Sequence, residues 1–329
     1  MGRVPLCLRR DKLGVVAYNL GLKEVAEGIF AYLQPDGSWG YSNAGLVVGE
    51  GASLLVDTLF DLNLTKKMLA SMETVTAANP ITAVVNTHAN GDHCHGNQLV
   101  PGARIISSEA AAREMADLPP AMLHALKQLD LGEDGNEFVS DAFGPFRFDD
   151  IDPSPPTETF CEVFESDAGG RPWRAEEVGP AHTAGDVIVH VPDAGVVFTG
   201  DIVFIGSTPI VWAGPIGNWL AALDRLRALQ PSVVVPGHGP VVGLGEVAEV
   251  DEYLRFVQTE ASRRAGAGMS AVDAAFDIEL GPYADWLDPE RIVVNIDAVY
   301  AETREGYVRM DVLSMLSAMG RYRAARRPR

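Results

Sequence analysis

The chain has 329 residues, and its composition of 47% hydrophobic and 22% charged residues is typical of a soluble globular protein. Its formal net charge of −19 repels phosphate backbones at long range, which disfavours a nucleic-acid partner. No stretch approaches the roughly 20 consecutive apolar residues that a membrane-spanning helix requires, so we expect no membrane contact.

The cysteines and the N-terminal residues favour a reducing compartment. Cys7, Cys94 and Cys161 are odd in number and include no CxxC spacing, so they do not form a disulfide framework. Residues 1–22 contain basic side chains but lack the apolar run and small-residue cleavage site of a signal peptide. A cytoplasmic location is therefore expected.

Short strands are predicted at the start of the first half. The runs "VAEGIFAYLQ" and "AGLVVGEGASLLVDT" flank the turn "PDGSWGYSN". A helical period then predicts a helix over 63–78 with Asn63 as its N-cap, and a strand over 81–87 follows. Two further helices are predicted near 108–117 and 119–130, before a region rich in glycine, aspartate and proline that extends to about residue 157.

The second half repeats this pattern and then becomes helical. Strands are predicted near 158–165, 173–178, 186–191 and 195–199. A helix near 217–229, the strand "SVVVPG", a helix near 245–265 and helical segments near 270–277, 288–303 and 309–323 follow. Strands and helices in both halves predict an α/β fold with two packed sheets covered by helices on the outside.

We expect a main domain over 1–245 and a C-terminal helical extension over 246–329. The added helices could equally form a homodimer interface. The extension ends in the basic tail "RYRAARRPR", which is interpreted as a frayed, solvated end in preference to a partner-binding arm.

The stretch "NTHANGDHCHGN" (86–97) concentrates side chains that bind metal ions, among them His88, Asp92 and His93. Three more candidates, His182, Asp201 and His238, stand beside glycine-rich turns at strand ends. Because glycine permits tight turns, such side chains can project into one cleft. Imidazole and carboxylate together suit zinc, iron or manganese, whereas calcium would take an all-oxygen shell.

These motifs, with "YSNAGLVVGEGASLLVDT", "AHTAGDVIVHVPDAGVVFTGDIVF" and "VVVPGHGPVV", resemble the metallo-β-lactamase superfamily, in particular its glyoxalase-II-like hydrolases. The resemblance runs from about residue 25 to 245 and implies an αββα sandwich with the metal site at one edge of the sheets. It implies these ligands: for the first metal His88 and His182, for the second Asp92, His93 and His238, and for the bridge Asp201. It also implies that Asp57 supports the His-rich loop, although a plain turn role suits that residue equally.

Asn90 stands where the family pattern has a histidine. Its amide oxygen is a neutral and weaker donor to zinc than imidazole, so the first site should lose affinity. Three outcomes stay open: a two-metal site with Asn90 binding weakly or through water, a single metal at the second site together with Asp201, or a preference for iron or manganese. His95 is a candidate for compensation, as a ligand or in proton transfer, against a supporting or surface role.

The resemblance implies an enzyme, a metal-dependent hydrolase that cleaves a small-molecule ester, thioester, lactone or lactam by a metal-bound hydroxide, with Asp92 orienting the nucleophile. Its cofactor would be one or two Zn²⁺ ions, with iron or manganese as alternatives. An iron-dependent oxidoreductase of the same superfamily and a lyase- or cyclase-type tailoring enzyme of natural-product biosynthesis stay open.

Residues 132–157, the helices after 268 and the loop "STPIVWAGPIGNW" are expected to shape the substrate pocket. Its candidate lining residues, for which core packing is the alternative, are Trp39, Trp173, Trp212 and Trp219.

Overall fold

Two β-sheets form the centre of the computed structural model, which describes residues 16–327. The first sheet has seven strands in chain order: β1 (Gly21–Ala26), β2 (Ile29–Leu33), β3 (Ala44–Val48), β4 (Ser53–Val56), β5 (Ile81–Val85), β6 (Arg104–Ser108) and β7 (Glu158–Phe160). The second sheet has the order β12-β11-β10-β9-β8 and comprises β8 (Val163–Ala168), β9 (Arg171–Glu177), β10 (Val187–Val191), β11 (Val196–Phe198) and β12 (Val233–Val235).

Helices cover both sheets. In the first half they are α1 (Leu62–Thr76), α2 (Gly91–Cys94), α3 (Glu109–Asp117), α4 (Pro120–Leu126) and α5 (Glu133–Phe143). In the second half they are α6 (Ile216–Ala228), α7 (Val247–Gly266), α8 (Ala271–Asp277), α9 (Ile292–Thr303) and α10 (Val312–Arg326). None of these helices is long and apolar enough to cross a bilayer.

Three hydrophobic clusters define the layers. One lies between the sheets and joins side chains such as Leu54 and Val85 of the first sheet to Trp173 of the second. Another packs the outer face of the first sheet against α1 through Met68 and Met72. The third contains side chains of β10 to β12 together with those of α5 to α10. This arrangement confirms the predicted αββα sandwich with a C-terminal helical region.

The predicted strand over 158–165 is two strands in two different sheets. β7 ends at Phe160 in the first sheet, and β8 begins at Val163 in the second. Glu162 between them has a φ of 64°, and such a left-handed residue breaks the extended backbone. The chain thus passes from one sheet to the other within one short stretch of mixed polar and apolar residues, which the sequence pattern alone does not reveal.

Helix α5 lies where only an irregular region was predicted. Its buried residues Phe138, Val139, Ala142 and Phe143 share one face, and α5 packs against α10. Glu133 and Asp134 in its first turn stabilise the helix, because their negative charges lie near the positive end of its dipole. The surrounding glycine and proline residues concealed this short helix. The predicted N-cap of α1 was also misplaced, since Asp61 rather than Asn63 accepts the hydrogen bond from Leu64 N.

Candidate metal centre

Parallel strand pairs deliver the candidate ligands to one edge of the sandwich. β4 and β5 run parallel, and Asp57 and His88 follow their carboxyl ends. β11 and β12 also run parallel and are followed by Asp201 and His238. Since parallel strands end at the same edge of a sheet, each pair places its next residues side by side. The other candidates lie in α2 and in the loop between β9 and β10.

His88, His182 and Asp201 form the first candidate group, in which one ligand atom of each residue lies within 4.8 Å of the others. Asp201 Oδ2 is 3.8 Å from His88 Nε2 and 3.4 Å from His182 Nε2. All three side chains are buried. The structure therefore brings together the residues predicted for the first metal site.

Asp92, His93 and His238 form the second group with the same spacing. Asp92 Oδ2 lies 3.3 Å from His238 Nε2 and 3.8 Å from His93 Nε2. Asp201 reaches this group too, because its Oδ1 is 3.2 Å from His93 Nε2 and its Oδ2 is 3.5 Å from His238 Nε2. Asp201 thus lies between the two groups, in the position that a bridging carboxylate requires.

Asp57 orients His93 from outside the centre. Its Oδ2 is 2.9 Å from His93 Nδ1, and its carboxylate also accepts hydrogen bonds from Thr87 N at 2.7 Å and Thr87 Oγ1 at 2.8 Å. Asp57 has a φ of 63°, a left-handed conformation that aspartate tolerates better than most residues. These contacts confirm the supporting role that the resemblance implied.

The other three imidazoles are held in the same way at Nδ1. Their partners are Thr87 Oγ1 at 3.0 Å for His88, the Ile210 carbonyl at 2.7 Å for His182 and the Gly37 carbonyl at 3.0 Å for His238. Because a carbonyl only accepts hydrogen bonds, Nδ1 of His182 and of His238 carries a proton. The two carbonyl partners could not be predicted, since a backbone carbonyl leaves no mark on residue type, whereas Thr87 stands next to His88 in the sequence and could have been noticed.

Several ligand atoms at the centre lack a suitable partner. His88 Nε2, His93 Nε2, His182 Nε2 and Asp201 Oδ1 are buried and make no hydrogen bond of acceptable geometry with any residue of 16–327. Buried polar atoms left unpaired cost about 1–3 kcal/mol each. Imidazole nitrogens with their outer nitrogen already bonded, next to shared carboxylates, are the donors that zinc and related metals take. The residues present therefore fit a transition-metal ion.

The electrostatics of the centre also suit a cation. Burial lowers the pKa of His182 to about 4. Burial opposes protonation of His238, but Asp201 and Asp92 raise its pKa to about 9. Burial likewise disfavours the charge on Asp201, yet His238 and His93 hold its pKa well below the usual range. Protons and a metal ion compete for these same nitrogens.

Two glycines make room for the buried carboxylate. A Cβ at Gly237 would lie 2.0 Å from Asp201 Oδ1, and one at Gly200 would lie 2.4 Å from Thr87 Oγ1. Gly200 also has a φ of 49°. Larger residues at either position would displace Asp201 or Thr87. The glycine-rich turns noted in the sequence are therefore required by close approach at the centre.

Asn90 and His95 lie beside the two groups. Asn90 is the N-cap residue of α2, and its carbonyl accepts the hydrogen bond from His93 N at 2.9 Å. The buried ring of His95 stacks on Phe60 at 5.7 Å and bonds the Phe60 carbonyl through Nδ1 at 3.2 Å. His95 is in neither candidate group. Cys94 bonds through Sγ to the Asn90 carbonyl at 3.4 Å.

The tryptophans divide between core and centre. Trp173 is buried between the sheets. Trp219 is fully buried, and its ring packs edge-on against that of His182, with 5.8 Å between the ring centroids. Trp212 and Trp39 are half-buried. Trp212 N donates to the His182 carbonyl at 2.9 Å, and Trp39 packs under the Arg291 guanidinium. Trp39 and Trp212 thus remain candidates for a pocket wall, whereas Trp173 is a core residue.

Two packed sheets with two groups of histidine and aspartate at one edge are typical of metal-binding αββα proteins. The family profile of the metallo-β-lactamase superfamily matches residues 37–238, a range that contains all six candidate ligands. This chain belongs to the metallo-β-lactamase superfamily, as the motifs predicted.

Two curated relatives are similar in sequence. A linear primary-alkylsulfatase of Pseudomonas sp. (strain ATCC 19151) is 23% identical over 258 residues, covering 70% of this chain and 48% of the relative. A β-lactamase-like protein 2 homolog of Caenorhabditis elegans is 25% identical over 210 residues, covering 63% of this chain and 59% of the relative. The chain thus spans only about half the length of these relatives.

Solved structures share the fold. The stereoselective inverting sec-alkylsulfatase Pisa1 from Pseudomonas sp. aligns with a TM-score of 0.66 at 16% identity, over 88% of this chain and 51% of that one. A metallo-β-lactamase from Pontibacter korlensis aligns with a TM-score of 0.54 at 20% identity, over 72% of this chain and 99% of that one.

Proposed function

We propose that this protein is a metal-dependent hydrolase that cleaves a small-molecule ester, thioester, lactone or lactam. The convergence of four imidazole Nε2 atoms on the shared carboxylate Asp201 carries this proposal. His88, His182 and Asp201 would hold one ion, and Asp92, His93 and His238 a second. Imidazole and carboxylate donors in this number favour zinc.

Bound metal ions would activate water at neutral pH and polarise the scissile carbonyl. A carboxylate of the chain would orient that water. Asp92 is the more accessible carboxylate of the centre, since 12% of its side chain is exposed against 4% for Asp201. Burial opposes its ionisation, but His93 and His238 lower the pKa of Asp92, which keeps it ionised at neutral pH. Asp92 is therefore placed to orient a water molecule by accepting its hydrogen bond.

Charge restricts the substrate. The chain carries a net charge of −19, and neither Asp92 nor Asp201 pairs with any described lysine or arginine. A polyanionic substrate would be repelled on approach. A small neutral or singly charged molecule suits this environment.

A sulfate ester is a second candidate substrate. Both an alkylsulfatase sequence and an alkylsulfatase structure are similar to this chain, and the structural match covers 88% of it. This coverage includes helices that lie beyond residue 238, where the match to the family profile ends.

Zinc-loaded protein assayed with nitrophenyl carboxylic esters, a thioester and an alkyl sulfate would test both proposals. We expect release of carboxylate, loss of activity with a chelator, and a fall of about 10²–10⁴-fold in Asp92→Asn. Asp149→Asn, at an exposed carboxylate paired with Arg147, is the matched control and should keep full activity. Turnover of the alkyl sulfate alone would favour the second candidate. Activity that survives chelation and Asp92→Asn would refute both proposals. Iron near one equivalent in the purified protein, before zinc is added, would favour an oxidoreductase.

A further inference from the structure

The loop 207–213 holds His182 by its ring and by its backbone. The Ile210 carbonyl accepts the hydrogen bond of His182 Nδ1 at 2.7 Å. Trp212 N and Ala213 N both donate to the His182 carbonyl, at 2.9 and 3.0 Å. A partner at Nδ1 fixes the tautomer and the orientation of a metal-binding imidazole. The shape of this loop therefore decides where Nε2 of His182 points.

Asn295 of α9 hydrogen-bonds to the loop on both sides of Ile210. Its amide nitrogen donates to the Pro209 carbonyl at 2.8 Å, and its amide oxygen accepts from Val211 N at 2.8 Å. The same nitrogen bonds Tyr253 Oη of α7 at 2.9 Å, and Asn295 is fully buried. Because the bonded groups belong to the residues before and after Ile210, they fix the direction of the carbonyl between them.

Arg309 hydrogen-bonds to the next two residues of the loop, Val211 and Trp212. Its guanidinium donates to the Trp212 carbonyl at 2.5 Å and to the Val211 carbonyl at 3.0 Å. The Nε of Arg309 bonds Asp297, a fully buried carboxylate that also accepts from Tyr307 Oη at 2.7 Å. Arg309 is thus oriented by the C-terminal helices before it meets the loop.

We propose that Asn295 and Arg309 are positioning residues that set the metal affinity of the group formed by His88, His182 and Asp201. They act through the Ile210 carbonyl and the His182 backbone and touch neither candidate group. The C-terminal helices thereby tune one metal site and leave the other, formed by Asp92, His93 and His238, unaffected. This inference rests on the proposed metal-dependent function.

Zinc competition with a chromophoric chelator, on the full chain, tests the proposal. Asn295→Leu removes both bonds to the loop at similar volume, and we expect one of the two zinc equivalents to bind about 10–100-fold more weakly while the other is unchanged. Asn295→Asp keeps the acceptor for Val211 N and should recover part of the affinity. Arg309→Lys retains the charge beside Asp297 but cannot reach both carbonyls, and it should weaken the same equivalent.

Tyr300→Phe is the matched control, because Tyr300 lies buried in α9 and its hydroxyl has no hydrogen-bond partner within the described part of the chain. It should bind both zinc equivalents as the wild type does. In proton NMR spectra of the zinc-loaded protein, Asn295→Leu should shift one imidazole N–H signal, which a general loss of stability would not do.

The outcomes separate this inference from the proposed function. Folded variants at Asn295 and Arg309 that bind both zinc equivalents with wild-type affinity would overturn the positioning role alone. Equal weakening of both equivalents would also overturn it, because the effect would then be general. A wild-type protein that takes up no zinc would overturn the proposed function and this inference together.

Discussion

Replacing Asp57 by asparagine should weaken both metal binding and the fold. The carboxylate accepts hydrogen bonds from Thr87 N and Thr87 Oγ1 and meets His93 Nδ1 at 2.9 Å. Asparagine has the same size and also tolerates the left-handed backbone at this position. It retains one oxygen as an acceptor but presents an N–H group where the second oxygen was.

The cost falls on the tautomer of His93. An amide N–H facing Nδ1 requires that nitrogen to accept, which moves the imidazole proton to Nε2, the atom that faces Asp201 at 3.2 Å. A protonated Nε2 has no lone pair for a metal ion. Loss of such an outer partner typically costs about 10–100-fold in metal affinity. Exchange of a charged acceptor for a neutral one should lower the free energy of unfolding by about 1–3 kcal/mol.

Two measurements on each variant check this reasoning: zinc affinity by chelator competition, and denaturant unfolding of the metal-free protein. Asp61→Asn is the matched control, since Asp61 lies in the same segment but caps α1 by accepting from Leu64 N at 2.8 Å. It should lose up to about 1 kcal/mol of stability and keep its zinc affinity. Wild-type zinc affinity in Asp57→Asn, or an equal loss of affinity in Asp61→Asn, would show that Asp57 does not set the tautomer of His93.

Three further predictions concern the centre and one ion pair. Asp201→Ala removes the carboxylate shared by both groups, so the zinc content measured by atomic emission should fall toward zero; retention of two equivalents would argue against a bridging role. Asn90→His should tighten zinc binding by about tenfold if position 90 faces the first group, and an unchanged affinity would show that it does not. Glu176→Gln breaks the bidentate pair with Arg225, whose hydrogen bond lowers the pKa of Glu176. Because the folded-state pKa is lowered, the stabilisation is present above the unfolded value of 4.5 and is lost as the pH falls below it. Unfolding at pH 7 should show a deficit of about 0.5–1 kcal/mol that vanishes in acid, and a deficit constant with pH would contradict the assignment.

The side chains that gather at the candidate centre could be predicted because metal-binding chemistry depends on residue type. His88, Asp92 and His93 stand together in one motif, and each distant partner adjoins a glycine-rich strand end. The same holds for Asp57, which follows β4 directly. The residue type alone marks such side chains as possible metal ligands, and the strands that precede them end at the same edge of each sheet.

Features that act through the backbone could not be predicted. The carbonyls of Gly37 and Ile210 bind imidazoles in the fold, yet any residue type offers a carbonyl. The passage from β7 to β8 depends on the left-handed backbone of Glu162, and a glutamate in the sequence gives no sign of that conformation. Asn295 lies 113 residues after His182 (295 − 182), so its place beside the centre depends on tertiary packing alone.

The C-terminal helices share their apolar core with the sandwich. Trp219 and Leu223 of α6 belong to the same cluster as Val250 of α7 and Ile296 of α9. A chain cut after residue 245 would therefore expose large hydrophobic surfaces to solvent on both fragments. Calorimetry of the intact protein should show one melting endotherm, because neither part can come apart without opening the other.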